Sequence, residues 1–170
     1  MHNIVEPLRP LACDIDKVTP SRRNPRRGDV EAVGRSLHRF GQDKPVVARA
    51  DTGEIIKGNH THAAAVTLGW DQIAVVFIHD ESEIESQARG LADNRSSDLA
   101  RYDHETLAKA MSEVANFDLD LLAATSFSEG DLADLLESLD PDKGGKGDGD
   151  GSAGDDDDKT TVCPECGHIF

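Results

Sequence analysis

The spacing of hydrophobic positions changes repeatedly along the chain, and each change marks an element. Residues 1–20 alternate weakly through Cys13-Asp14-Ile15-Asp16-Lys17-Val18 and stop at Pro20, as strand and turn material does. Val30, Val33, Leu37 and Phe40 share one helical face, with Asp29 placed to cap the helix and Gly41 to end it. Pro45-Val46-Val47-Ala48-Arg49-Ala50 reads as a strand, Asp51-Thr52-Gly53 as a hairpin turn, and Glu54-Ile55-Ile56 as the return. Ile73-Ala74-Val75-Val76-Phe77-Ile78 is almost continuously apolar, the pattern of a buried strand. Ser82-x-x-Glu85 is a capping box opening a helix that reaches Asp93-Asn94-Arg95, a charged triplet placed where a helix should stop. A further helix starts at Tyr102-Asp103, with Leu107 and Met111 facing inward. Leu119, Leu122 and Phe127 anchor a short helix and turn. Ser128 then caps a last helix with Leu132, Leu135, Leu136 and Leu139 in register. Short strands alternating with helices predict an α/β or α+β domain over residues 1–100, followed by a helical extension over 101–139.

The chemistry concentrates at Ile55-Ile56-Lys57-Gly58-Asn59-His60-Thr61-His62-Ala63-Ala64-Ala65. A strand end, a glycine turn and a helix start meet there. Free backbone N–H groups and the positive end of the helix dipole then converge on one point, which suits a phosphate or another anion. His60, at the helix start, can donate to such an anion. His62, two positions on, faces elsewhere and reads as a surface or packing histidine.

Charge sharpens this picture. Lys and Arg number 11 against 8 Asp and Glu over residues 1–60, 4 against 16 over 61–139, and 3 against 9 over 140–170. DNA repels so acidic a chain at long range, which excludes a general nucleic-acid coating role. A local basic patch can still meet phosphate, and Ser21-Arg22-Arg23-Asn24-Pro25-Arg26-Arg27-Gly28-Asp29 is such a patch. Composition leaves two readings of it open: contact with nucleotide or DNA phosphates, or a solvated loop tied down by the acidic half of the chain. No apolar run approaches membrane-spanning length and no charged-then-apolar leader opens the chain, so the expectation is a soluble cytoplasmic protein with no membrane partner. Cys13 stands alone and reads as a small core residue.

Residues 140–161 are Gly, Asp, Lys and Ser with almost nothing apolar, and read as a disordered acidic linker. The chain then runs Val162-Cys163-Pro164-Glu165-Cys166-Gly167-His168-Ile169-Phe170, which looks like one knuckle of a zinc ribbon over residues 162–170. A structural Zn2+ needs four ligands. Three readings follow for Cys163 and Cys166: two copies sharing a zinc as a homodimer, a partner donating the missing pair, or a remnant.

Taken in order, these motifs resemble the N-terminal domain of the ParB/sulfiredoxin superfamily over about residues 11–115. The residues that carry the likeness are Asn24-Pro25-Arg26, Ser36-Leu37-His38-Arg39-Phe40-Gly41-Gln42, Pro45-Val46-Val47, Ile55-Ile56-Lys57-Gly58, Leu68-Gly69-Trp70, and Ala92-Asp93-Asn94-Arg95 with Asp98-Leu99. Gly-Asn-His in place of Gly-Glu-Arg-Arg is similar to the variant carried by actinobacterial phages and mobile elements, often called ParB-like nucleases. The resemblance implies a small mixed sheet with helices and a nucleotide site. By it, Gly58, Asn59, His60 and Thr61 would hold phosphate, Asp93 and Asn94 would hold phosphate or Mg2+, and Asn24 and Arg26 would lie near the nucleotide. Partitioning members have arginines where His60, Thr61 and Ala63 stand here, so most fixed charge partners of a triphosphate are gone. Sulfiredoxins carry a reactive cysteine where Asn59 stands, so their repair chemistry is not expected. Partitioning members also carry a helix-turn-helix, yet Asp131, Asp134 and Glu137 line the last helix, where a DNA reader needs cations.

Three functions are therefore set against one another. The first is a nucleotide-responsive accessory protein, binding a CTP- or ATP-type nucleoside triphosphate with Mg2+, in DNA partition, processing or regulation. The second is a metal-dependent nuclease, with Asp93 and His60 as its catalytic candidates. The third is an adaptor that binds a protein partner through residues 128–170, the domain serving as scaffold.

Overall fold

A computed structural model describes residues 2–140. Four strands form one mixed sheet: β1 (Ala12–Asp14), β2 (Val46–Arg49), β3 (Ile55–Lys57) and β4 (Gln72–Ile78), in the order β1-β4-β2-β3. β2 pairs with β3 antiparallel across the Asp51-Thr52-Gly53 turn and with β4 in parallel, Val46 opposite Val75, while β1 pairs antiparallel with β4. The apolar run therefore ends where its composition places it, in the middle of the sheet, with Ile73, Ala74 and Val75 fully buried.

Helices α1 (Val30–Phe40) and α2 (Asn59–Thr67) close the core against the sheet. Ala64 and Ala65 are small enough to let α2 pack tightly, and Leu37 anchors α1. α3 (Glu83–Leu99) leaves this body and lies along β3; Ser86 is its one buried residue. It can approach so closely because a Cβ on Gly90 would sit 3.1 Å from the Ile56 carbonyl oxygen. α4 (His104–Phe117), α5 (Leu119–Ala124) and α6 (Glu129–Leu139) form the extension around buried Met111 and Leu122. α5, a short turn and α6 follow one another as in a helix-turn-helix, and α6 carries Glu129, Asp131, Asp134 and Glu137 with no Lys or Arg.

Gln42 does a strand's work at the edge of β2. Its Oε1 accepts the Ala74 N–H at 2.7 Å, and its Nε2 donates to the Ala74 and Lys44 carbonyls at 2.9 and 3.0 Å. The amide thus extends the β2 ladder along β4 by one residue, 1% exposed.

Several expectations from the sequence change. The helix opened by Ser82 does not stop at Asp93-Asn94-Arg95 but continues to Leu99. Ser96 and Ser97 bond back to the carbonyls of Ala92 and Asp93, and no Gly or Pro interrupts the turn. The opening segment holds two 3-10 turns, Glu6–Leu11 and Ile15–Lys17, around a strand of only three residues. Phe40 and Leu119 are half exposed rather than inward-facing, because the apolar faces they extend outrun the surface they cover. The acidic linker and the Cys163/Cys166 knuckle lie outside the described residues.

Candidate functional site

Gly58 shapes the site first. It adopts φ +89° and ψ 25°, the left-handed region, and so turns the chain sharply from β3 into α2. A Cβ there would also sit 3.1 Å from Cγ2 of Val46, a fully buried side chain. Immediately after it, the amides of Asn59, His60 and Thr61 have no intrahelical acceptor, and the His62 N–H is the first to bond back, to the Gly58 carbonyl at 3.0 Å. The helix dipole points the same way.

These amides open onto a cavity of about 310 Å³. Its three walls are the arginine loop, the turn from β3 into α2, and the inner side of α3. All eight phosphate-binding candidates line it: Asn24, Arg26, Gly58, Asn59, His60, Thr61, Asp93 and Asn94. The acid–amide pair on α3, some thirty-five positions downstream, thus faces the head of α2 across one space.

Sequence reasoning named Arg26 and Asp93 but missed Arg23, Lys57, Glu83 and Asp98, and with them three ion pairs. Arg23 Nη1 lies 2.5 Å from Glu83, Lys57 Nζ 2.9 Å from Asp93, and Arg26 Nη1 3.0 Å from Asp98. Arg26 also donates to the Asn94 carbonyl at 3.2 Å. All three carboxylates come from α3 and all three cations from the opposite walls, so the pairs form a seam across the cavity mouth. Arg23 and Lys57 were legible as cations beside the glycine turn and loop, but their partners are 60 and 36 positions away in sequence. Arg49, also in the lining, is held by Asp51 through Nε at 3.0 Å and Nη2 at 2.5 Å; that bond holds the Asp51 carboxyl below its usual range.

The named candidates are engaged in different ways. Asn24 shapes the loop, its Oδ1 accepting the Arg26 N–H at 3.2 Å. Asn59 Oδ1 accepts the Ser21 N–H at 2.8 Å, and His60 Nε2 accepts the Gly28 N–H at 2.9 Å. Nδ1 is then the His60 ring atom left to donate. His62 packs in the core, 8% exposed, with Nε2 3.4 Å from the Ile15 carbonyl and Nδ1 without a partner among the described residues. Asp93 faces Lys57 rather than a second acid. Among the described residues no group of three or more His, Cys, Asp or Glu is placed to hold a metal. Burial pushes the Cys13 thiol up.

The fold has a known counterpart. The crystal structure of the C-terminally truncated chromosome-partitioning protein ParB from Caulobacter crescentus complexed with CTP-gamma-S superposes with a TM-score of 0.61, at 18% identity, over 75% of this chain and 77% of that one. The chain has the fold of a ParB N-terminal domain. A second structure of the Caulobacter protein, complexed to the centromeric parS site, covers 75% of this chain and 71% of its own at 18% identity with a TM-score of 0.40. By sequence, a nucleoid occlusion protein of Oceanobacillus iheyensis is 28% identical over 88 residues, 47% of this chain. The match takes in 30% of that protein, so this chain corresponds to under a third of the curated relative's length. No protein-family model matches the chain. Among the described residues, no helix is long and apolar enough to cross a membrane.

Proposed function

We propose that this protein is a nucleotide-responsive accessory factor, acting in DNA partition, processing or regulation in the cytoplasm of a phage-bearing host. In this reading its cavity takes the phosphates of a CTP- or ATP-type nucleoside triphosphate. The observation that carries the proposal is the convergence of three separate segments on one cavity: residues 21–26, 54–61 and 83–97. Helix-start amides supply hydrogen bonds without a charge to be neutralised, and Arg23, Arg26 and Lys57 supply charge. The Caulobacter structure in complex with CTP-gamma-S supports a nucleotide as the ligand class. With Asp93 as its protein carboxylate, a Mg2+ ion would take most of its oxygens from phosphate and water, as Mg2+ commonly does.

Three α3 carboxylates already occupy the cations, so an incoming phosphate competes with Glu83, Asp93 and Asp98. Binding should therefore be weaker than in a site whose arginines are uncommitted. Titration calorimetry with CTP, ATP and GTP, with and without Mg2+, is the direct test. Heat with at least one of them supports the proposal, and no heat with any of them overturns it. Any DNA contact would run through the arginine loop, not α6, whose acids repel phosphate.

The adaptor reading draws on a different observation. α6 presents four acids together with half-exposed Leu136. Co-purification that is lost on deleting residues 128–170, with nucleotide binding intact, would favour it.

A further inference from the structure

We propose that Asn59 and His60 are positioning residues: together they staple both ends of the arginine loop to the head of α2, and act on an anion through that loop. Two hydrogen bonds carry this. Ser21, at the start of the loop, donates its N–H to Asn59 Oδ1 at 2.8 Å. Gly28, at its end, donates its N–H to His60 Nε2 at 2.9 Å. Between those two points lie Arg22, Arg23, Arg26 and Arg27. Consecutive residues on one helical turn thus hold two points seven positions apart, so the loop is pinned as a closed arch.

The surroundings fit a built clamp. A Cβ on Gly28 would lie 2.9 to 3.1 Å from three atoms of the His60 ring, so the imidazole rests directly against the Gly28 backbone. Only glycine permits that approach without moving the ring. Ser21 is fixed a second time, its Oγ donating to Glu54 at 2.6 Å. Inside the arch Asn24 closes a turn through the Arg26 N–H, and Arg27 donates to the Asn24 carbonyl at 2.8 Å. Order in the loop therefore comes from hydrogen bonds at its feet and within it, while the heads of Arg23 and Arg26 reach across to Glu83 and Asp98 on α3.

The clamp sets the sign of a pH effect. A histidine that donates to a bound anion improves with protonation. Here Nε2 must be unprotonated to accept from Gly28, so acid breaks the clamp and presents an N–H to an N–H. Arg26, Lys57 and Asp93 share the cavity with His60, while Arg27 and Asp29 flank Gly28. Asp29 is already committed to capping α1 through the Ala32 N–H.

Hydrogen exchange on the ligand-free full chain tests the clamp without relying on nucleotide binding. We expect Asn59→Ala and His60→Ala to speed exchange of the amides of residues 21–28 by about five-fold each, the factor one net hydrogen bond is worth. Asn59→Asp and His60→Gln keep an acceptor and should return the loop to the wild-type rate, which separates loss of the clamp from misfolding. After correction for intrinsic rates, acidification sufficient to protonate imidazole should speed loop exchange in the wild type and leave His60→Gln, which keeps an amide acceptor, unchanged. Wild-type exchange rates in both alanine variants would overturn the inference, as would the same pH response in wild type and His60→Gln. The affinity arm rests on the proposed nucleotide site: CTP binding should weaken in acid more for wild type than for His60→Gln. Tighter binding in acid for the wild type alone would place His60 on the anion and overturn the clamp. A loop that responds as expected in a protein that binds no nucleotide would sink the proposed function and leave the clamp standing.

Discussion

Gly58→Ala should damage both the fold and the site, and its cost can be worked from two features of the turn. Holding alanine at φ +89° costs about 1–2 kcal/mol. The new methyl also meets Val46 Cγ2 at 3.1 Å, and Val46 is wholly buried in β2 with little room to give, which adds about 1 kcal/mol. Against this, alanine narrows the unfolded ensemble and returns about 0.4–1 kcal/mol. The net is a destabilisation of about 2 kcal/mol, or a fall of roughly 6–8 °C in Tm for a domain of this size. Gly34 is the control. It lies mid-helix in α1 with nothing within 4 Å of a built Cβ, so Gly34→Ala should stabilise by about 0.5–1 kcal/mol. Thermal and urea denaturation of the two variants beside wild type give the comparison. If Gly58→Ala melts with the wild type, or shifts the same way as Gly34→Ala, the argument from the left-handed turn and the Val46 contact is wrong. Nucleotide titration of Gly58→Ala at a temperature where it is fully folded asks whether the amides moved as well. Their heat of binding should fall by more than instability explains.

Removing the internal competitors should help an anion. Glu83→Gln and Asp98→Asn free Arg23 and Arg26, and because these pairs are about half exposed the stability cost should stay below about 1 kcal/mol. CTP affinity should rise several-fold at low salt, and a fall in affinity would show that the carboxylates serve the ligand instead. Gln42→Leu strands the Ala74 N–H and C=O and should cost about 3 kcal/mol in urea unfolding; a cost under ~1 kcal/mol would mean the bridge to β4 is dispensable. In strong acid, the helix caps should fail. Hydrogen bonds from Ser82 hold the Glu85 carboxyl below its usual value, as those from Ser128 do for Asp131 and that from the Thr106 backbone does for Asp103. A depressed carboxylate stabilises the fold fully above its unfolded value and loses that contribution as the pH falls through its folded one. Helical circular dichroism should therefore hold steady down to about pH 5 and decline below it. A decline centred above pH 6 would point to histidines instead of caps.

What was readable from the residues alone was local. The faces of α1 and α4, the capping boxes at Ser82 and Ser128, the hairpin at Asp51-Thr52-Gly53 and the glycine turn at Gly58 are each decided within a few positions, by torsions and by hydrogen bonds to near neighbours. The glycine turn announces its chemistry on its own, whereas Asn24, Arg26, Asp93 and Asn94 were named only through the resemblance to the ParB/sulfiredoxin superfamily. Tertiary structure decided everything that depends on partners far along the chain. It joined the three segments into one cavity and gave Arg23, Lys57 and Arg26 to carboxylates of α3. It also engaged His60 Nε2 as the acceptor of the Gly28 N–H, and left Phe40 and Leu119 half uncovered. The physical reason is range. A cap or a turn is settled by bonds within one helical turn, whereas the partner of a charge or an imidazole is settled by how β3, α2 and α3 pack, and no periodicity in the sequence records that.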